Sequence, residues 1–372
     1  DVTGKTTAEL TNPSALGWDG DIWGAGALAE SAQAAGYRQA GDSLVFLKGL
    51  TRDQDKISTN GTLFNGGYGT AAAAWTLTSW QQLQNINHNS TTLGGHYQLE
   101  TNLDKNSAGY ASLASATANS NQGWKPIGRN PTSGFTGNFD GQNHTIGDLH
   151  IRRSGQTYVG LFGLTQGATL RNIGLVAGDI EGGDAVGGLV GYQLNGSISN
   201  AYATGQVRGS DFVGGLVGYK WSSTISNAYA TGPVTGTGTS VGGLVGQQYN
   251  GSINNAYATG QVTGTGDYVG GLVGLQADGS INNAYATGPV TGTGNYVGGL
   301  VGYRSSSTIS SSYWNTETAG PATQGVGFGP QTGVTGKTTE QLKQLATFTG
   351  WDMDDAGGTG TVWRIYEGHT GP

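Results

Sequence analysis

The chain has 372 residues, 70 of them glycine, with 35% hydrophobic residues, only 11% charged residues and a net charge of −7. With 17 Tyr and 9 Trp it is too aromatic and too weakly charged for an ordinary disordered tail, and its glycine lacks the triplet period of collagen. It has no Lys/Arg run for nucleic acid, no apolar run near the roughly 18 residues that span a bilayer, and no cysteine for disulfides or thiolate metal sites.

The chain opens with TGKTTAEL at Thr3–Leu10 and GWD at Gly17–Asp19. Both recur downstream, in TGKTTEQLKQLATFTGWD with GWD at Gly350–Asp352, and Trp23 matches Trp363. Residues 1–23 therefore read as the tail of a preceding unit, or as an N-terminal cap, in an excerpt of a longer parent. Residues 24–74 read as an irregular cap or insertion, with GALAESAQAAG helical and SLVFL a strand. Residues 75–158 read as irregular first coils. WTLTSWQQLQNIN predicts a short helix capped at Thr78 or Ser79, with Leu83 and Ile86 inward. HYQLETNLD, WKPIG and FTGNFDGQNHTIGDLHI read as strands broken by turns such as Asp140-Gly141.

Residues 159–316 repeat. Phe162, Val190, Val217, Val245, Val273 and Val301 fall 28, 27, 28, 28 and 28 residues apart. Eight residues after each comes an aliphatic side chain (Leu170, Ile198, Ile225, Ile253, Ile281, Ile309). Four further on, in the last five copies, comes a tyrosine. A fixed period in the twenties marks a solenoid. The single missing residue falls between Val207 and Val213, which places a turn there, because a slip inside a strand would reverse its faces. Each interior glycine would cost a helix roughly 1 kcal/mol, so the Val-, Ile-, Thr- and Tyr-rich repeats must be strands. The fold class is all-β: a parallel β-helix with coils of about 28 residues and short capping helices at its ends.

Stacking sets equivalent residues above one another. The aliphatic row and Val207, Val234, Val262 and Val290 fill the core, with Ala201, Ala228, Ala256 and Ala284 in a small inward space. Asn200, Asn227, Asn255 and Asn283 predict a structural ladder at a bend. Leu161, Leu189, Leu216, Leu244, Leu272 and Leu300 pose a conflict, because strict alternation cannot put both Leu189 and Val190 inside. Either the glycines shift the phase, the preferred reading, or an apolar stripe faces outward. In residues 317–372, a C-terminal cap, Thr338 and Gln341 form a capping box ahead of a helix at Thr339–Ala346 over the open end. Just before them, Trp314 replaces the inward alanine and should block a further regular rung.

The recurring GGLVG with its NAYATG strand resembles the GLUG motif of large bacterial surface proteins. The lead-in from Trp124 to Ile146 with YVGLFG, and the exit SSYWNTETAG followed by TTEQL and GW, resemble the usual flanks, over about 300 residues from Trp75 onward. The resemblance implies filamentous-haemagglutinin-like exoproteins of Gram-negative bacteria, with a right-handed β-helix, secretion by a two-partner route, surface display, and a part in cell adhesion or biofilm. GLUG repeats also accompany metallopeptidase domains that cut immunoglobulin A, but the HExxH zinc motif is absent here.

No chemistry repeats with the coils. His88, His96, His144, His150 and His369 form no pair at metal-ligand spacing. Asp179, Glu181 and Asp184, with Asp140 and Asp148 one coil earlier, could in principle act as acid and base, but no Arg or Lys companion recurs beside them and solvated turn acids are the plainer reading. TGTG lacks the Lys and helix of a phosphate loop. No catalytic residue, metal or cofactor is expected. The candidate binding surface is an exposed ladder of Tyr202, Tyr229, Tyr257, Tyr285 and Tyr313, whose plainer role is mutual stacking. A second row is Thr204, Thr231, Thr259 and Thr287. The further rows Thr235, Thr263, Thr291 and Thr237, Thr265, Thr293 complete a hydroxyl lattice that could order ice. Expected partners are a glycan, a host surface or another copy. The function expected is a non-enzymatic segment of a secreted adhesin, with a carbohydrate-active enzyme or an ice-binding module as alternatives.

Overall fold

The computed structural model describes residues 23–26, 44–47, 57–58, 61–355 and 361–372. The opening TGKTTAEL and GWD segments and the helix expected in GALAESAQAAG lie outside the described residues. The strand read in SLVFL is present as Leu44–Leu47, paired antiparallel with Trp23–Gly26.

From Trp75 onward the chain winds into a parallel β-solenoid. Strands stack into one 17-stranded sheet and two smaller sheets of six and five strands. Register follows the repeat: Val190 lies beside Val217, Val217 beside Val245, and so on to Val301, with Ile198–Ile225–Ile253–Ile281–Ile309 as a second aligned row. Both rows are buried, as are the Val207 and Ala201 rows.

The leucine conflict resolves as a shift of phase. Leu189 and Val190 are both fully buried, and so are their counterparts in every coil. The backbone shows why: the N–H groups of Leu189 and Val190 both donate to the carbonyl of Leu216, and Leu216 and Val217 both donate to Leu244. Two consecutive N–H groups converging on one acceptor set two consecutive side chains on one side, as in a β-bulge. Glycine makes the corner possible, since a Cβ on Gly242 would lie 2.1 Å from the carbonyl oxygen of Val245.

The first coils hold the expected helix, Trp80–Asn85, with Ser79 as its cap accepting from the Gln82 N–H, and Leu83 and Ile86 buried. The lead-in forms strands at His96–Leu99, Asn138–Asp140, Thr145–Gly147 and His150–Arg153. WKPIG contributes only a bridge between Ile127 and Phe162.

The C-terminal segment departs from expectation in its helix. Trp314 does fill the core end, but an irregular rung still follows, with Val326–Phe328 beside Val301–Tyr303 and Val334–Lys337 beside Ser312–Asn315. The helix expected at Thr339–Ala346 is instead two 3₁₀ turns, Gln341–Lys343 and Leu345–Thr347. The capping box forms, with Gln341 N–H donating to Thr338 Oγ1 and Thr338 N–H to Gln341 Oε1. The apolar residues decide the helix type: Leu342, Leu345, Phe348 and Trp351 recur every third residue, the period of a 3₁₀ face rather than an α-helical one. That face packs on the outward tyrosine row.

Candidate functional site

The tyrosine row forms a stack. Tyr202, Tyr229, Tyr257 and Tyr285 sit with ring centroids 4.7 to 4.9 Å apart and planes within 7° of parallel. This is one ring per rung, so each ring's faces are covered by its neighbours. What points outward is ring edge and hydroxyl, and stacking a sugar ring on a tyrosine face inside the ladder is not available.

The expected exposure also fails at the downstream end. Tyr285 and Tyr313 are buried, enclosed by Leu342, Phe348, Trp351, Trp363 and Ile365 of the C-terminal segment. Trp351 donates its indole N–H to the Ser311 carbonyl, and the Tyr285 hydroxyl donates to the Pro372 carbonyl. Tyr257 is half-buried and packs against Trp363, which leaves Tyr202 and Tyr229 as the open part of the ladder. Burial, with neighbouring phenols adding to it, pushes the Tyr229, Tyr257 and Tyr285 hydroxyls above the ordinary tyrosine value, so these groups act as neutral donors and acceptors.

The second row, Thr204, Thr231, Thr259 and Thr287, is half-buried. Its register partner in the next coil is Asn315, whose amide donates to Thr339 Oγ1. Thr231, Thr259 and Thr287 line a groove of about 380 Å³ together with Tyr257, Tyr285, Leu342 and Lys343. The structure thus brings the two expected rows to one place. One outer threonine row is tied up along the axis, since the hydroxyls of Thr265 and Thr293 donate to the carbonyls of Thr237 and Thr265.

The asparagine ladder runs further than the repeat. Asn200, Asn227, Asn255 and Asn283 each donate through Nδ2 to the Oδ1 of the coil before, at 2.9 to 3.2 Å, starting from Asn172. Asn172 in turn donates to Asp140. All five asparagines have φ near +50°, the left-handed bend that asparagine tolerates best among residues with a side chain. The amide dipoles point one way and end on an anion. Burial pushes the Asp140 carboxyl up, but hydrogen bonds from the Gln142 backbone, Asn172 and Arg171 outweigh it and hold it below the usual range. Asn227→Ala should therefore lose about 2–3 kcal/mol, seen as a lower urea midpoint, because it strips two ladder bonds and leaves alanine at positive φ.

The turn acids have cationic companions, though none that recurs from coil to coil. Arg208 reaches Asp179 at 2.7 Å, with His150 on the other oxygen at 3.7 Å. Arg171 reaches Asp140 at 2.8 Å and Arg152 reaches Glu181 at 3.6 Å. The companions come from neighbouring coils at single positions, so no repeat announces them. Asp184 accepts the Asp211 N–H of the next turn. Each carboxylate is thus engaged structurally, and no group of three His, Asp or Glu side chains suited to a metal occurs among the described residues.

Two features escaped the sequence reading. One is an inward polar row: Thr165, Gln193, Lys220, Gln248, Gln276 and Arg304 align by register and are buried. Their donors reach carbonyls at the corner that follows: Gln248 to Gly251 and Ser280, Gln276 to Thr308, Lys220 to Asn250, Arg304 to Ser307 and Pro330. The period of V-G-x-Q was visible, but its facing depends on a phase change at the intervening glycine. The other is an aromatic belt joining Tyr192, Tyr219, Phe212, Trp221 and Tyr249. It recurs as Tyr268, Tyr296, Tyr303 and Phe328. Its members come from three positions of the repeat, and no row is complete.

The family model "The GLUG motif" matches residues 182–208, 237–263 and 265–291. Halomucin of Haloquadratum walsbyi is 37% identical over 141 residues, which is 37% of this chain and 2% of that protein. A "Putative Gly-rich membrane protein" of Evansella cellulosilytica is 32% identical over 135 residues, 35% of this chain and 14% of that one. The chain thus spans a small part of these relatives. Among solved structures, that of "a putative immunoglobulin A1 protease" from Bacteroides ovatus aligns with a TM-score of 0.60 at 24% identity, covering 76% of this chain and 90% of that one. At that identity the likeness concerns the fold.

Proposed function

We propose that this GLUG-containing solenoid is a non-enzymatic structural and binding segment of a secreted, surface-displayed adhesin of the filamentous-haemagglutinin-like kind. The observation that carries the reading is the unbroken parallel register from the strand Trp75–Leu77 to Val334–Lys337, which makes the coils one stiff body with hydrogen bonds along its axis. Such a body holds outward side chains at fixed spacing. Its open face offers the hydroxyls of Tyr202 and Tyr229 and the threonine row to a glycan, a host surface or a second copy. The name of one relative, a membrane protein, fits display at a cell surface. Among the described residues no helix is long and apolar enough to cross a membrane. The neighbour named for a protease lends its fold to this reading and not its chemistry, since HExxH is absent and the turn acids are bound in ion pairs and turn bonds.

A glycan array probed with the chain and its Tyr202→Ala/Tyr229→Ala variant tests the open face. These positions are half-buried and lie away from the core, so the variant should fold while signal on the bound glycans falls about tenfold. Undiminished binding by the variant would remove the tyrosines from the surface, and the absence of any binding by the parent chain would remove the glycan.

A further inference from the structure

Two Asn-Gly pairs stand at one corner of the coil. By register Asn195-Gly196, Ser222-Ser223, Asn250-Gly251 and Asp278-Gly279 lie one above another. The first residue of each has φ between 46° and 61°. Both asparagines are exposed, and both pairs are followed by serine. An Asn-Gly pair is open to attack by the backbone nitrogen on the preceding side chain, because glycine puts no Cβ in the way.

The surroundings of the two pairs differ. At Asn250 the side chain turns back on the next peptide, and the Gly251 N–H donates to its Oδ1 at 2.6 Å. Cγ is one bond from that oxygen, so the side-chain carbon is held against the nitrogen that attacks it. From the inner side Lys220 donates to the Asn250 backbone carbonyl at 3.0 Å. Lys220 is fully buried, and no carboxylate pairs with it among the described residues. At Asn195 the matching residue of that inward row, one coil earlier, is Thr165, which brings no cation. Among the described residues, no bond joins the Asn195 side chain to the Gly196 N–H.

We propose that Asn250-Gly251 is a self-modifying site, which deamidates through a cyclic imide to an isoaspartate whose new carboxylate pairs with Lys220. In the first step the Gly251 nitrogen bonds to Asn250 Cγ, its proton passes to Nδ2, and ammonia leaves. In the second, water adds to the Asn250 backbone carbonyl carbon, and the bond from that carbon to the Gly251 nitrogen breaks. The nitrogen, still joined to Cγ, takes a proton from the water, and the freed acid ionises. The carbonyl that Lys220 already holds thereby becomes the carboxylate. Lys220 acts at both steps. Its hydrogen bond draws electrons from the peptide group, which acidifies the attacking N–H and then opens the carbonyl carbon to water. The product gives a buried ammonium the counter-ion it lacks, between two consecutive coils.

The test incubates the folded chain at neutral pH and follows both asparagines by peptide mass spectrometry, with isoaspartate labelled by an isoaspartyl methyltransferase. The contexts YNGS and LNGS are nearly the same, so Asn195 is the internal reference. Asn250 should convert about tenfold faster than Asn195, with isoaspartate as its main product. The advantage should vanish in urea, and also in Lys220→Met, which removes the donor and keeps the side-chain length. Equal rates in the folded chain, an advantage that survives in urea, or aspartate as the main product at 250 overturns the proposal. So does a folded Lys220→Met chain that keeps the parent's ratio. Should that variant fail to fold, Lys220→Gln replaces it, and an undiminished ratio there counts equally against the proposal.

Discussion

Gly260→Ala is expected to cost about 3–5 kcal/mol and to lower the urea midpoint more than any single side-chain deletion on the outer faces. A Cβ at residue 260 would lie 2.0 Å from the carbonyl oxygen of Gly232 and 2.6 Å from its carbon. Both are backbone atoms fixed by the rung below, so no rotamer change can relieve the collision. The same contact recurs up the stack, with Gly232 against Gly205 at 1.9 Å and Gly288 against Gly260 at 2.0 Å. Opening one rung by even an ångström would break the in-register bonds on either side, including Thr259 N–H to Ala230 and Thr287 N–H to Ala258. Gly155→Ala is the control. A Cβ there meets nothing within 4 Å and no positive φ is required, so its effect should stay within about 0.5 kcal/mol. Equal effects at the two positions would show that glycine serves chain entropy here rather than close approach.

Close stacking also explains which features could be read from the sequence. A residue that repeats every coil meets its own copies, so the valine, isoleucine, alanine and asparagine rows were legible as ladders, and the asparagine bend as structural. Facing was harder. Alternation fails where two N–H groups share one acceptor, as at Leu189 and Val190, and it fails again between Val190 and Gln193 and between Val217 and Lys220, which are buried alike although three residues apart. The conflict at Leu189 was visible in the sequence; the second change of phase before Gln193 was not. The covering of Tyr285 and Tyr313 was hidden for another reason. It joins residues 285 and 363, a contact between a repeating and a non-repeating part of the chain, and only the period-three spacing of Leu342, Leu345, Phe348 and Trp351 hinted at a face wanting a partner. The arginine companions of Asp140, Asp179 and Glu181 likewise occur once each, where periodicity has nothing to say.

The second large effect is a gain. Lys220→Gln should raise stability by a few kcal/mol at neutral pH and flatten its pH dependence. Lys220 is fully buried in a row whose other members include Gln193, Gln248 and Gln276, and its ammonium donates to the Asn250 carbonyl with no carboxylate among its ion pairs in the described residues. Burial lowers its pKa from 10.5 to about 7. The unfolded chain therefore holds a proton between pH 7 and 10.5 that the folded chain releases. Stability should climb as pH rises through that window, by up to about 1.4 kcal/mol per pH unit, and be lowest below pH 7, where the charge is buried in full. The buried tyrosines act in the opposite sense only above about pH 10, where the unfolded phenols ionise first, so urea titrations from pH 6.5 to about 9.5 isolate the lysine. Glutamine at 220 has a template in Gln248, whose amide reaches the carbonyls of Gly251 and Ser280 at the equivalent corner. It would keep the corner bonded without a charge to desolvate. A variant that is less stable than the parent chain at pH 7, or one that keeps the parent's slope between pH 7 and 9.5, would show that Lys220 remains solvated and charged within the coil.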